Sequence, residues 1–248
     1  MDEFVGKVAL ITGAGRGLGR EIALAFSSLG VAVAANDINP VNLDETVNHI
    51  LQAGGSAKAY IFDIAKRMPI EGMVTQVLDH FGRIDILVNH ASMEPEAGIL
   101  AMDEWEFHRT LDVNLGGPFF CMQQVGRVMR EHGGGTIVNF ISLTGKRNAR
   151  KECAAHLASQ VGLLGLTRAA TNELSQYNIR INAVSTGVIE EKLFTLQGWN
   201  INTYHQWLES YTNVRLGDHP NLVGLVLFLC SNAASSLTGQ VISGDLGF

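Results

Sequence analysis

Eight residues, Thr12-Gly13-Ala14-Gly15-Arg16-Gly17-Leu18-Gly19, follow directly on the apolar run Val8–Thr12 and lead into a helical pattern. Their spacing suits phosphate binding. Gly13 permits a tight turn, Gly17 lets backbone approach a pyrophosphate, and Gly19 allows close helix–strand packing. The helix that starts around Leu18 then turns free N–H groups and the positive end of its dipole toward the phosphates. Asp37 follows the second β-branched run at about the ~20-residue separation expected of an acid that accepts from a ribose hydroxyl. Such a carboxylate repels a 2′-phosphate, so NAD is expected rather than NADP. Arg16 is the counter-signal, because a cation in the loop can meet that phosphate, and a solvated loop acid is the plain alternative for Asp37.

Cys153 offers a thiolate that would be a nucleophile, although a buried inert thiol is the plainer reading. The three cysteines, Cys121, Cys153 and Cys230, are an odd number with no CxxC spacing, so neither a disulfide frame nor a metal site is expected.

The elements that must position these groups alternate in type. Val8–Thr12, Val31–Asn36, Ala57–Phe62, Asp85–Asn89, Thr136–Ile141, Ile179–Val184 and Gln240–Ser243 read as strands. Helical patterns fall near 18–29, 41–53, 70–81, 103–131, 153–176 and 221–231. This alternation predicts an α/β fold: a Rossmann-type doubly wound parallel sheet in one domain over 1–248. Segment 190–218 is too long for an ordinary connection. Its Phe194, Trp199, Tyr204, Trp207 and Tyr211 suit a lid over a substrate with an apolar body, or equally a helix docked on the core or a neighbour.

Composition narrows the function classes. Of 248 residues, 46% are hydrophobic and 17% charged, with a formal net charge of −6. No basic cluster is visible, so neither nucleic acid nor an anionic membrane is an expected partner. No apolar run reaches the ~20 residues of a membrane span, and the first residues lack a signal-peptide pattern, so a cytoplasmic protein is expected.

Taken together, the chain resembles the short-chain dehydrogenase/reductase family over essentially its whole length. Thr12–Gly19 matches the family's TGxxxGxG pattern. Asp63, with Ile64 after it, matches the acid placed near the adenine ring. Asn89-His90-Ala91-Ser92 stands in the place of NNAG, which implies cofactor contacts at Asn89 and Ala91, with His90 either reaching the pocket or structural. Asn114 matches the helix asparagine of the catalytic tetrad, and Ser142, ending Ile137-Val138-Asn139-Phe140-Ile141-Ser142, the catalytic serine. Gly165-Leu166-Thr167-Arg168 and Ile179-Arg180-Ile181-Asn182-Ala183-Val184 are similar to downstream landmarks, and the resemblance extends cofactor contacts to Gly187 and Ile189.

The departures gather at the reacting end. Counting back from Gly165-Leu166-Thr167-Arg168, the tyrosine of the family's YxxxK is His156 and the lysine is Gln160. This placement needs one inserted residue, since the ordinary step from Ser142 ends at Ala155. No tyrosine occurs between Tyr60 and Tyr177 to restore the motif. Thr186-Gly187 replaces Pro-Gly, and Glu191 replaces a threonine that contacts the carboxamide. Lysine helps the tyrosine ionise, and a histidine does not need it; Gln160 keeps a ribose hydrogen bond without the charge. The resemblance therefore implies an NAD(H)-dependent oxidoreductase acting on an alcohol or carbonyl of a small-molecule substrate, through Ser142, His156, Asn114 and Gln160. The alternative is a non-redox or inactive NAD-binding protein: a regulatory subunit, lyase or isomerase. A homo-oligomer, dimer or tetramer, is expected through the helices at 103–131 and 153–176.

Overall fold

Seven short strands, the central ones buried on both faces, build the molecule's frame. The structure, a computed structural model, describes residues 2–142, 152–186 and 219–244. The strands are β1 (Val8–Thr12), β2 (Ala32–Asp37), β3 (Ala57–Ile61), β4 (Ile86–Asn89), β5 (Gly135–Ile141), β6 (Ile179–Ser185) and β7 (Val241–Ser243). All pair in parallel in the order β3-β2-β1-β4-β5-β6-β7. Successive strand residues point to opposite faces. On one face Ala9, Ile11, Val33, Val88, Val138 and Phe140 join a core with Ile22 and Phe26 of α1 (Gly17–Ser28) and Leu222 and Val226 of the last helix. On the other, Leu10, Ala34, Leu87 and Ile137 join one with Ile70 and Met73 of α3 (Arg67–Phe81) and with Met122 and Val125. Two buried faces are why β1 and β4 carry almost no polar residue. The expected strand runs, from Val8–Thr12 to Gln240–Ser243, fall on the seven strands within about a residue at each end, where strand boundaries ordinarily fray.

Among the described residues, the remaining α-helices are α2 (Pro40–Gln52), α4 (Glu104–Leu111), α5 (Gly117–Glu131), α6 (Ala154–Leu174) and α7 (His219–Cys230). The single helix expected over 103–131 is interrupted: Asp112–Gly116 forms a π turn between α4 and α5. Pro118 accounts for part of this, since it has no N–H to give the Asn114 carbonyl four residues back. Such bulges are frequent at functional sites, and this one carries Asn114.

Register puts the ends of three strands level. Thr12 lies beside Asn36 of β2 and beside Asn89 of β4. Strand order reverses between β1 and β4, and ligands of open α/β sheets bind beyond the carboxyl ends of strands at that point. The loops after β1 and β4, residues 13–16 and 90 onward, therefore flank one crevice. Arg180 braces the far side of the sheet, donating to the carbonyls of Ala234 (2.9 Å) and Ser231 (3.3 Å) and to Thr136 Oγ1 (3.0 Å).

Candidate functional site

At the β1 end, the glycines are required by both conformation and space. Gly13 and Gly17 have φ of +70° and +52°, values that favour glycine. A methyl group on Gly13 would lie 2.9 Å from Ala91 Cα and 3.1 Å from His90 Nδ1. One on Gly19 would run into the Gly13 carbonyl and sit 2.8 Å from the same His90 nitrogen. Arg16 is exposed at the N-cap of α1 in an extended conformation, and Leu18 is buried.

Asp37 ends β2 beside this loop. Its Oδ2 accepts from Gly15 N–H at 3.0 Å and its Oδ1 from Asn39 N–H at 3.0 Å. Gly15 thus joins the functional glycines, because a methyl there would lie 2.7 Å from Asp37 Oδ2. Arg20 holds the loop from below: Nε donates to Gly15 O and to Thr46 Oγ1, both at 3.0 Å, and Nη2 pairs with Glu45 at 2.9 Å. Arg20 was not anticipated, since its partners lie on α2 and nothing in the local pattern links them.

Asp63 follows β3, and the structure gives it a partner that sequence reasoning missed. Arg109 of α4 grips it through two bonds, of 2.8 and 3.1 Å, and Ala65 N–H adds a third of 2.9 Å. Burial raises this carboxyl, but the bonds from Arg109 and Ala65 and the charges of Arg109 and Lys66 outweigh it, so its pKa is held below the ordinary value. Ile64 is buried, with its side chain and carbonyl against Gly117.

The loop after β4 is locked to β1 by Thr12 Oγ1, which accepts from His90 N–H (3.1 Å) and Ala91 N–H (3.2 Å). Asn89 points into the sheet, donating to Asn139 Oδ1 at 2.8 Å, and Asn139 donates onward to Thr167 Oγ1 at 3.0 Å. The side-chain N–H₂ of Asn89 is thereby tied into the frame. His90 wedges beneath Gly13 and Gly19, edge-on to Phe140 with ring centroids 5.1 Å apart. That position favours the structural reading of this histidine.

Four of the expected residues, Asn114, Ser142, His156 and Gln160, are brought together around the first half of α6. His156 and Gln160, each 3% exposed, share the inner face of α6. His156 Nδ1 lies 3.2 Å from the Met93 carbonyl and 3.4 Å from Asn114 Nδ2. Asn114 bonds Met93 twice, accepting its N–H and donating to its C=O, both at 2.8 Å, and donates to Ser159 Oγ at 3.1 Å. Gln160 Oε1 accepts the backbone N–H of Ser142 at 2.8 Å, tying the end of β5 to α6. That oxygen is thereby committed to Ser142, and the amide N–H₂ is the donor end of the side chain. Such an arrangement can hold an oxygen substituent and move its proton.

The other candidates divide cleanly. Burial pushes the Cys121 and Cys230 thiols up to about 12, and Cys153 is buried at the N-cap of α6. Among the described residues, no group of three His, Cys, Asp or Glu side chains could hold a metal, and no helix is long and apolar enough to cross a membrane. Gly187, Ile189, Glu191 and the segment 190–218 lie outside the described residues.

Residues 13–248 match the family model described as enoyl-(acyl carrier protein) reductase. An uncharacterized oxidoreductase from Thermotoga maritima is 36% identical over 249 residues, covering 98% of each chain. A structure described as a short-chain alcohol dehydrogenase from Sinorhizobium meliloti superposes with a TM-score of 0.91 at 34% identity, covering 99% of this chain and 98% of that one. A 7α-hydroxysteroid dehydrogenase complexed with NADH and 7-oxo glycochenodeoxycholic acid gives 0.90 at 31% identity, covering 99% and 96%.

Proposed function

This chain belongs to the short-chain dehydrogenase/reductase family, and from that premise we propose that it is an NAD(H)-dependent oxidoreductase whose proton-transfer group is His156. One observation carries the reading. The imidazole is buried on the α6 face that also holds Gln160, with Nδ1 at the Met93 carbonyl that Asn114 holds, while Gln160 secures Ser142. A bound nicotinamide supplies or takes the hydride. The protein's part is to hold Ser142 where its hydroxyl can bond the reacting oxygen, and to give that oxygen a proton, or remove one, through His156. Reactive carbonyls offered with NADH test the reading, with turnover expected; no turnover by the wild type would defeat it.

The dinucleotide would lie across the switch point, its pyrophosphate on Gly13–Gly19 and its adenosine side near Asp37, Asp63, Ile64 and Ala91. Asp37 favours NAD, because a 2′-phosphate would approach a carboxylate already seated against Gly15. The NADH in the hydroxysteroid dehydrogenase relative accords with this. NADH is expected to bind clearly tighter than NADPH, and Asp37→Ala to shrink the difference. Calorimetric titration of both nucleotides checks this, and equal affinities in the wild type would overturn it and turn attention to Arg16.

The outer faces of α5 and α6 support a homo-oligomer. They enclose a groove of about 290 Å³ that includes Phe119, Leu166, Ala169, Ala170 and Tyr177. Ala158, Val161, Gly165 and Ala169 of α6 are exposed, and small residues let helices approach closely across a two-fold axis. Light scattering should find a dimer or tetramer for the wild type and a smaller species for Ala169→Arg. A wild type that stays monomeric at micromolar concentration would exclude the interface.

A further inference from the structure

We infer that Asn114 is a positioning residue that sets the tautomer of His156 through the Met93 carbonyl, so that Nδ1 keeps its hydrogen and Nε2 exchanges protons with substrate. The inference rests on the reading of His156 given above, and it follows from counting hydrogens. The Asn114 side chain is oriented by three bonds. Its Oδ1 faces Met93 N–H at 2.8 Å, so the oxygen and nitrogen cannot be interchanged. Its two amide hydrogens go to Met93 O at 2.8 Å and Ser159 Oγ at 3.1 Å. Ser159 spends its own hydrogen on the His156 carbonyl at 2.6 Å, which leaves its lone pairs for Asn114.

No Asn114 hydrogen then remains for His156 Nδ1, and the 3.4 Å separation of the two nitrogens is correspondingly long. The Met93 carbonyl, 3.2 Å from Nδ1, can only accept, and it has a second lone pair for the purpose. The neutral ring therefore carries its hydrogen on Nδ1. With a bound nicotinamide to supply or take the hydride, Nε2 would take the substrate's hydroxyl proton in oxidation, and the imidazolium would give a proton to the oxygen in reduction. The Nδ1 hydrogen stays on Met93 throughout.

The arrangement gives Asn114 a task that requires no lysine, which fits a chain with Gln160 at that place. It also gives the loop after β4 a part in the chemistry, since Met93 N–H and C=O are both held by Asn114. The titratable side chains on the flanking segments are Glu94 beside Met93, Asp112 in the π turn, and Glu152 and Cys153 before α6. The test alters none of them.

Protein labelled with ¹⁵N-histidine and read by long-range ¹H–¹⁵N correlation reports the tautomer directly. The wild type should show His156 with hydrogen on Nδ1. Asn114→Asp cannot donate to Met93 and puts a carboxylate next to Nδ1. The His156 titration and the pH–activity limb should then move up together by about one unit or more, with NADH affinity retained. Ser159→Ala, which adds no charge, frees an Asn114 hydrogen to turn to Nδ1 and should raise the share of rings with hydrogen on Nε2. A wild-type ring with its hydrogen on Nε2 would overturn the inference. So would an unmoved titration in a folded Asn114→Asp, or an unmoved tautomer in Ser159→Ala. The expected spectra together with full turnover by His156→Ala would support the positioning and remove His156 from the reaction.

Discussion

His156→Ala should lose at least about 100-fold in turnover on a reactive carbonyl while binding NADH as the wild type does. General acid–base groups contribute roughly 10²–10⁴-fold, and the sequence has no YxxxK motif to share the work. The retained affinity follows from geometry, since His156 contacts Met93 and Asn114, whereas the phosphate loop is built by Thr12, Asp37 and Arg20. Direction matters for pH. Reduction needs the protonated ring and should fall as pH rises through the imidazole titration; oxidation needs the neutral ring and should rise over the same interval. A lysine-assisted tyrosine would titrate elsewhere. The companion variant His156→Tyr with Gln160→Lys separates an active site from a lost one. Equal turnover in wild type and His156→Ala would exclude the histidine, as would activity found only in the double variant.

Gly19→Ala should weaken NADH binding at least about 100-fold, roughly 3 kcal/mol, without unfolding the sheet. The added methyl would strike the Gly13 carbonyl and press on His90 Nδ1 at 2.8 Å. Neither can withdraw easily. The His90 backbone is tied to Thr12 Oγ1, and its ring abuts Phe140. The loop would therefore open and take its N–H groups away from the phosphates. Gly72→Ala in α3 is the control, because its methyl would meet only the Phe62 ring at an ordinary 3.6 Å. Titration with NADH alongside thermal melting checks the pair; a wild-type dissociation constant for Gly19→Ala would remove the steric argument.

The π turn and the ties around the crevice also show where reading a linear chain stops. Periodicity predicted one helix over 103–131, because the apolar pattern continues through Asp112–Gly116; the local change of pitch depends on Pro118 and on bonds from Asn114 to a loop some twenty residues earlier. The spacing assigns no task to Gly15, yet Asp37 Oδ2 occupies the space a side chain there would need.

What this sequence determined by itself was everything carried by local period and spacing. Strand runs such as Val8–Ile11 are buried on both faces and are therefore apolar, and the positive φ of Gly13 and Gly17 answers to backbone geometry within a few residues. The family resemblance brought His156, Gln160, Ser142 and Asn114 forward as candidates. Only the tertiary structure decided how those side chains are engaged: that Gln160 holds Ser142 by its backbone N–H, that Asp63 is gripped by Arg109, and that His156 faces the Met93 carbonyl. Those bonds join residues from different elements, and a directional hydrogen bond between distant residues leaves no period in the chain to be read.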